Sequence, residues 1–337
     1  MRPDNPTVVV TADDVAELAG VSRWTVNRAY KEQASISAKS RRKVLDAAEH
    51  LGYAPDLLAA GLASNRSGIV SLLVNDFSNP HTIQLLEHLT RVLRQHSWGT
   101  LLINNGGEQD ASAALLNASQ HRVDAAVLMG TSFDDVAIEA ALGARRVRKL
   151  ILFGRLSSNP NTLSICCDDH KAMTDIADHI ISRGYRSPLF MAGPQTSSAP
   201  LLRKQAFIER WRKKKKGVVR STVVEHYDSR MAEKQLERYL AATDRSNWPD
   251  VVVCENDTLA IGAMDAIRHR FNLQVPEDIA VTGFDNIASA SNPNYELTTY
   301  SQPSEQMADA LISILKGEGT LSNYSDFEGT LFVRRSC

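Results

Sequence analysis

Short apolar runs that alternate with helical patterns constrain the fold of this chain more than any other feature of its sequence. From Gly68 onwards, runs such as IVSLLV (69–74), AAVLM (125–129) and DVVVC (250–254) are separated by stretches with helical spacing. Continuous apolar strands that alternate with helices are typical of parallel sheets covered on both faces. About eight such units are too many for one modest sheet, so two βα lobes with a cleft between them fit the 337 residues better.

This alternating pattern predicts the residue range of each strand and helix. Strands are predicted at 69–74, 100–104, 125–129, 149–153, 188–192, 222–226, 250–254 and 279–283. Helices are predicted near 81–96, 110–120, 134–143, 169–183, 200–215, 230–242 and 257–271. A two-lobed α/β fold binds small molecules between its lobes, at the carboxyl ends of strands. The first candidates for a ligand site are therefore the residues that follow strands: Asp76, Asn105, Arg155, Asn256 and Asp285.

The N-terminal region has a different sequence pattern, which predicts three short helices. Thr11 can cap the first helix, Ser22 the second and Ser37 the third. After the third helix comes a linker with leucines but also glycine and small residues, which makes it a weak helix in isolation. The expected domains are 1–54, the hinge segment 55–67, and 68–337.

The second short helix carries many hydrogen-bond donors. A helix, a turn with glycine and a polar second helix form the outline of a helix-turn-helix, whose second helix enters the major groove of DNA. From Ser22 to Lys43 there are seven Lys or Arg against one Glu, although the whole chain has a net charge of −1. In this interpretation Arg23 and Trp24 face base edges. The alternative is a solvated amphipathic helix with scattered charges.

Composition excludes several other classes of protein. The four cysteines, two of them adjacent, form no C-x-x-C pair, so we expect buried thiols and neither a metal site nor a disulfide framework. The N-terminal MRPDNPTVVV lacks the apolar stretch of a signal peptide. No segment approaches the roughly 18 apolar residues of a membrane span. We expect a cytoplasmic protein with no membrane partner and no cofactor.

The segment TADDVAELAGVSRWTVNRAY (11–30) and its continuation to Ala63 resemble the N-terminal signature of the lactose/galactose-repressor (LacI/GalR) family of bacterial transcription regulators. The resemblance continues through NDFSNP (75–80), ENDTLAIGAM (255–264), VPEDIAVTGFDN (275–286) and LTTYSQP (297–303). It covers nearly the whole chain. It implies a helix-turn-helix domain, a hinge helix and a two-lobed, periplasmic-binding-protein-like effector domain with parallel sheets. The lobes would comprise about 68–166 plus 301–328 and about 167–300 plus 329–337.

The resemblance also implies a homodimer that binds a pseudo-palindromic operator, with one helix-turn-helix domain bound to each half-site. Leu62 would occupy the hinge position that wedges into the minor groove, a known use of apolar side chains. The complete candidate set for DNA is Thr11, Ser22, Arg23, Trp24, Thr25, Asn27, Arg28, Lys39, Arg41 and Leu62. Asn27 stands where the family usually has Ser, so the operator sequence is expected to differ from the family's usual one.

For the cleft, the resemblance implies a sugar-like effector that modulates operator binding. Its positions fall on Asn79, His81, Ser197, Arg203, Tyr227, Asn256 and Asp285, to which the strand pattern adds Arg155. Arg203 and Asp285 would clasp adjacent hydroxyls, and Tyr227 would stack on the ring of the ligand. Gly154 stands where several members have Asp, and the Arg155 that follows it suggests a more anionic effector, such as a sugar acid or phosphate.

Two other classes of function stay open at this stage. The sequence contains no G-x-G-x-x-G, P-loop, G-x-S-x-G or metal-spaced His pair, and we therefore expect no enzyme. The alternatives are a non-regulatory sugar-binding protein and a Rossmann-type enzyme with an accessory N-terminal domain. Binding to DNA without turnover would separate the regulator from both.

Overall fold

A computed structural model describes residues 10–30, 34–55, 66–104, 111–130, 138–139, 147–157, 159, 161–194, 202–215, 217–318 and 324–337. The chain divides into two compact units, residues 1–67 and residues 68–337. Each unit has its own hydrophobic core and is described by itself.

The described residues of the N-terminal unit form three helices, α1 (Ala12–Ala19), α2 (Arg23–Ala29) and α3 (Ala38–Leu51). Each begins at the hydroxyl residue that the sequence predicts: Thr11, Ser22 and Ser37 accept hydrogen bonds from backbone N–H groups of the first turn. Thr11 forms a full capping box with Asp14. The three helices bury a small core around Val15, Val26 and Val44, which are fully buried.

The second unit contains twelve strands among its described residues. They are β1 (Ile69–Val74), β2 (Gly99–Asn104), β3 (Ala125–Met129), β4 (Leu150–Phe153), β5 (Leu163–Cys167), β6 (Pro188–Ala192), β7 (Arg220–Val223), β8 (Val251–Cys254), β9 (Ala280–Phe284), β10 (Thr298–Ser301), β11 (Tyr324–Phe327) and β12 (Thr330–Phe332). The described helices are α4 (Pro80–Gln95), α5 (Ala111–Gln120), α6 (Asp169–Ser182), α7 (Arg203–Lys215), α8 (Ser229–Ala241), α9 (Asp257–Asp265) and α10 (Ser304–Lys316). A π-helical turn, Ala266–Arg270, continues α9.

These strands form two six-stranded sheets, each the centre of one lobe. The N-lobe sheet has the order β11-β5-β4-β3-β1-β2 and is parallel throughout. The C-lobe sheet has the order β12-β10-β9-β8-β6-β7 and is parallel except for its edge strand β12. The two-lobed α/β fold with parallel sheets is thus confirmed.

Helices cover both faces of each sheet, which explains the continuous apolar runs. In β1, Leu72 packs with residues of α4 and α10 on one face, whereas Leu73 packs with residues of α5 on the other. In β6, Leu189 faces α8 and α9, and Phe190 faces α6 and α7. Successive side chains of a strand point to opposite faces, so both must be apolar when both faces are buried.

The chain passes between the lobes three times. It leaves the N-lobe sheet after β5, returns from β10 to α10, and leaves again between β11 and β12. α10 belongs to the N-lobe, because Met307 and Leu311 pack in the same core as β1. The second crossover, residues 302–303, lies beside the cleft between the lobes.

The structure differs from the sequence-based elements in a few places. Strands β5, β10, β11 and β12 and helix α10 were not among the predicted elements. The strand expected at 222–226 lies at Arg220–Val223, and the helix expected from 200 begins at Arg203. The helix predicted near 134–143 falls largely outside the described residues. Within the part of the chain that the structure describes, no helix has the length and apolar composition to cross a membrane.

Candidate functional site

The second helix of the N-terminal unit has one apolar and one polar face. Val26 and Ala29 are buried against the other two helices. Arg23, Trp24 and Asn27 are exposed, and Trp24 keeps 64% of its surface accessible. Large aromatic side chains are mostly buried in folded proteins, so this exposed indole is available for contact with a partner.

Two arginines on this helix are held in place by neighbouring groups. The guanidinium of Arg28 lies over the ring of Trp24, with 4.4 Å from Cζ to the ring centroid, and its Nε donates to the Ser35 carbonyl. Arg23 forms an ion pair with Asp13 at 3.1 Å, in which both side chains are 64% exposed. The exposed face of the helix is therefore partly ordered by stacking and ion pairing.

The remaining DNA candidates divide into exposed and structural positions. Lys39 is exposed on α3, but Arg41 is half-buried and donates from Nη1 to the Ala29 carbonyl at 2.6 Å. Ser22 and Thr11 are exposed helix caps, and Thr25 lies 3.0 Å from the Ser22 hydroxyl. The predicted wedge Leu62 lies outside the described residues.

A cavity lies between the lobes at the carboxyl ends of the strands. It includes seven of the eight effector candidates: Asn79, His81, Arg155, Arg203, Tyr227, Asn256 and Asp285. The eighth, Ser197, lies outside the described residues. Sequence reasoning missed the other side chains of the lining, namely Thr82, Leu85, Met129, Phe153 and Gln302. The space between them, which includes some open solvent, is about 610 Å³.

Arg203, at the start of α7, is the buried cation of the C-lobe wall. Only 4% of it is exposed, its Nε donates to Asp169 at 3.1 Å and its Nη1 donates to the Glu255 carbonyl at 2.8 Å. Its Cζ lies 3.6 Å from the centroid of the Phe284 ring. Burial alone would lower the pKa of Arg203, but the surrounding carboxylates, Asp169 first and Asp285 next, raise it above its ordinary value. The guanidinium is therefore charged and held in one orientation.

Asp285 follows β9 with an unusual backbone. Its φ of 108° lies in the region that favours glycine, and its N–H donates to the Tyr300 carbonyl. The side chain is 8% exposed, and Oδ1 accepts from Gln302 Nε2 at 2.7 Å. Strained backbone is retained where the surrounding structure fixes it, often at binding sites. Here it places a carboxylate in the wall of the cavity.

Two asparagines of the cavity also cap helices. Asn79 Oδ1 accepts from the His81 N–H at the start of α4, and Asn256 Oδ1 accepts from the Leu259 N–H at the start of α9. Both asparagines are almost fully buried. Because the cap fixes the oxygen of each amide, the NH₂ group is the side that can donate to a ligand.

Tyr227 reaches the cavity over a glycine. A Cβ on Gly193 would lie 2.1 Å from Tyr227 Cε1, so only glycine fits there. The Tyr227 hydroxyl donates to Glu255 at 3.4 Å, and the Gly193 N–H donates to the same carboxylate. Burial raises the pKa of Tyr227 well above its ordinary value and also raises that of Glu255. The phenol therefore presents a neutral ring to the cavity.

A second carboxyl group lies behind Asp285. Asp257 is fully buried and accepts from the Thr299 hydroxyl at 2.5 Å and from the Ile287 N–H at 2.8 Å. Burial, and next the charge of Asp285, raise the pKa of Asp257 to about 8. At neutral pH Asp257 therefore carries a proton.

On the N-lobe wall, Arg155 follows β4 and is 4% exposed. The residue before it, Gly154, has a φ of +86°, a conformation that a side chain rarely adopts. An aspartate, which the resemblance places at this position in several members of the family, would be strained here. Among the described residues, no group of three His, Cys, Asp or Glu side chains could hold a metal ion. The polar groups of the cavity suit a neutral or anionic ligand rich in hydroxyls.

Comparison with known proteins gives two family matches. Residues 11–56 match the model of bacterial regulatory proteins of the lacI family. Residues 67–319 match the model of periplasmic binding proteins and the sugar binding domain of the LacI family. Together the two models cover both structural units.

Individual proteins agree with these matches. The sucrose operon repressor of Escherichia coli is 27% identical over 317 residues, which cover 90% of this chain and 93% of that protein. The Lac repressor dimer bound to operator and the anti-inducer ONPF has a TM-score of 0.83 at 23% identity, covering 98% of this chain and 99% of that one. A complex of the regulator CelR with cellobiose has a TM-score of 0.70 at 23% identity, covering 97% and 100%. These two structures share the fold.

Proposed function

This chain belongs to the LacI family of bacterial regulatory proteins and is a DNA-binding transcriptional regulator with an effector-binding domain; from that premise we propose which of its residues bind DNA and which ligand its cleft takes. The observation that carries the proposal for the cleft is that seven side chains, from Asn79 to Asp285 along the chain, line one cavity.

For DNA, we propose that α2 enters the major groove of each half-site of a pseudo-palindromic operator. Arg23, Trp24 and Asn27 are exposed on one face and contact bases, as arginine does with guanine and asparagine with adenine. Phosphates are contacted by Lys39 and by the capped helix ends at Thr11 and Ser22, since helix N-termini favour anions. Thr25, Arg28 and Arg41 complete the interface.

The dimer and the hinge belong to the same proposal. The Lac repressor binds its operator as a dimer, and we extend that arrangement to this chain. In it, Leu62 of the hinge segment inserts into the minor groove between the half-sites. Because the operator lies in the cytoplasm, the protein acts there.

For the effector, we propose a sugar or sugar acid. Arg203 and Asp285 place a buried donor and acceptor in the wall, as adjacent hydroxyls require, with Asn256 beside them. The neutral ring of Tyr227 supplies a stacking surface. Arg155 on the opposite wall adds a second buried cation, which would suit a carboxylate or phosphate on the ligand.

Binding is tested with a panel of matched ligands: glucose and gluconate, galactose and galacturonate, sucrose and cellobiose. An operator is first selected from DNA randomised over two half-sites. We expect one panel member to bind by calorimetry and to change the affinity for the selected DNA, with no chemical conversion of the ligand. A chain that binds sugar but selects no DNA would favour the simple binding protein, and turnover would favour an enzyme.

A further inference from the structure

Gln302 lies where the chain crosses from one lobe to the other. It follows β10, the C-lobe strand that ends at Ser301, and precedes α10, which packs in the N-lobe from Ser304. Its half-buried side chain lines the cavity. A residue in this place moves with neither lobe alone, so its contacts depend on how the lobes are arranged.

The amide of Gln302 contacts one residue from each lobe. Its Nε2 donates to Asp285 Oδ1 at 2.7 Å in the C-lobe and lies 3.1 Å from His81 Nε2 in the N-lobe. His81 Nε2 and Asp285 Oδ1 are 3.9 Å apart. Together the three side chains form a bridge across the cavity, which we term the crossover bridge.

The carboxylate fixes how this amide is oriented. If the Gln302 carbonyl oxygen took the place of Nε2, it would face Asp285 Oδ1 oxygen to oxygen, which is repulsive. The NH₂ group therefore faces both partners and supplies one hydrogen to each. His81 Nε2 is then the acceptor of the second hydrogen.

We propose that Gln302 couples occupancy of the cleft to operator binding, by joining His81 of the N-lobe to the carboxylate of Asp285 that the effector uses. This rests on the proposed function, in which Asp285 binds hydroxyls of the effector. A ligand hydroxyl at Asp285 competes with Gln302 for Oδ1, so the crossover bridge has a different energy in the occupied and the unoccupied cleft.

Such a difference is what coupling requires. An effector shifts an equilibrium only through contacts whose free energy differs between the two states, and couplings of about 5- to 150-fold are typical. In this proposal Asp285 and the other polar side chains of the cavity give the effector its affinity. Gln302 makes that contact sensitive to the position of the N-lobe, and the N-lobe sheet begins with β1, directly after residues 66–68 that lead from the N-terminal unit.

The test compares Gln302→Met with Gln235→Met. Methionine keeps the length of glutamine but removes the NH₂ group. Gln235 is a matched control, since it is also half-buried and donates from Nε2, to the Thr222 hydroxyl at 2.6 Å. The probe is the tightest-binding member of the ligand panel, and the DNA is the selected operator. Operator affinity is measured without probe and at saturating probe, and probe affinity is measured by calorimetry.

Allosteric coupling typically changes affinity by at least about fivefold. In Gln302→Met we expect the operator affinities with and without probe to differ by no more than about twofold. In Gln235→Met we expect the ratio of these two affinities to keep its wild-type value. Gln302→Met should still bind probe. A wild-type ratio in Gln302→Met overturns the proposal, and so does a loss of probe binding, which would make Gln302 an effector ligand.

Two further outcomes, a variant that does not fold and a wild-type protein that does not respond to the panel, have different consequences. If Gln302→Met does not fold, His81→Phe removes the N-lobe end of the crossover bridge, and a wild-type ratio in it overturns the proposal. If no member of the panel changes the operator affinity of the wild-type protein, the proposed function itself fails, and this inference fails with it.

Discussion

The buried ion pair between Arg203 and Asp169 ties ligand binding to stability at the level of single residues. Both side chains are largely buried, and Asp169 also accepts the Leu202 N–H at 3.0 Å. Burial raises the pKa of Asp169 despite the neighbouring guanidinium. Removing one partner of such a pair leaves the other charge buried, which is more costly than the pair itself is favourable.

Replacing Arg203 with alanine should therefore have two effects. Effector affinity should fall by at least tenfold, since truncating one member of a buried charged hydrogen-bond set costs about 2–5 kcal/mol. The melting temperature should also fall, because Asp169 loses its cation. Calorimetric titration with the panel ligand and thermal unfolding measure both quantities.

Arg210→Ala is the matched control on the same helix. Arg210 pairs with Asp178 at the surface, where ion pairs contribute little, and this variant should keep both the affinity and the melting temperature. Wild-type affinity in Arg203→Ala would show that Arg203 is not an effector ligand.

Asp257 should make stability depend on pH. Its pKa is raised to about 8 in the folded protein by burial and next by Asp285, whereas the unfolded value is about 3.9. Between these values the native state holds a proton that the unfolded chain releases. Stability then falls as pH rises through this window, by up to about 1.4 kcal/mol per pH unit, and levels off above pH 8.

Asp257→Asn should flatten that slope. The Asn oxygen can accept from the Ile287 N–H, and its NH₂ group can donate to the Thr299 hydroxyl, so the variant should fold. Urea unfolding at several pH values between 5 and 8 gives the free energies. The same slope in both proteins would mean that Asp257 is ionised throughout the range.

The residues that sequence reasoning found and those that it missed differ in how local their signals are. Asn256 and Asp285 lie two residues after the ends of predicted strands, and Arg203 stands at a recognisable family position. Asp169 pairs with Arg203, 34 positions away, and Glu255 pairs with Gly193, 62 positions away. Gln302 contacts His81, 221 positions away. No local pattern encodes such pairings, because the two partners are distant along the chain and meet only in the folded protein.

Among the elements, β10 shows why some strands escape detection. Its sequence is TTYS, yet Thr298, Thr299 and Tyr300 are fully buried. The threonine hydroxyls are satisfied by hydrogen bonds to the Cys337 carbonyl and to Asp257. A search for apolar runs overlooks a buried strand of this kind, whose threonine hydroxyls have specific partners. By contrast, β1, β3 and β6 are apolar throughout or nearly so, and their bounds agree with the sequence-based prediction.

Within the helix-turn-helix, Arg41 connects two elements. Its Nη1 donates to the carbonyl of Ala29, at the end of α2, where helix carbonyls lack partners and a cation is favourable. Arg41→Ala should therefore lower the melting temperature of the N-terminal unit as well as its affinity for DNA.

The neighbouring Arg42 is exposed on the same helix and separates these effects. Arg42→Ala should weaken binding to all DNA sequences and reduce the salt slope by about one, without changing the melting temperature. Binding titrations at several salt concentrations, with thermal scans of both variants, test this. Equal melting temperatures for the two variants would remove the structural role of Arg41.

At the scale of the whole molecule, the described residues of the cleft all belong to the second unit. Both sheets and every described residue that lines the cavity lie within residues 68–337. A fragment of residues 68–337 should therefore fold and bind the panel ligand with wild-type affinity while losing all affinity for operator. A tenfold loss of ligand affinity in the fragment, measured by calorimetry, would show that the N-terminal unit supports the cleft.

The three crossovers between the lobes also determine when each part of the chain can fold during synthesis. The N-lobe sheet has its edge strand at Tyr324–Phe327 and one of its covering helices at Ser304–Lys316, although its other strands are complete by Cys167. The C-lobe likewise receives its last strand at Thr330–Phe332. On the ribosome, neither lobe can close its core until nearly the whole chain has emerged. The three described helices of the N-terminal unit end at Leu51 and can fold long before that. A nascent chain therefore presents its DNA-binding helices before it has any means of responding to a ligand.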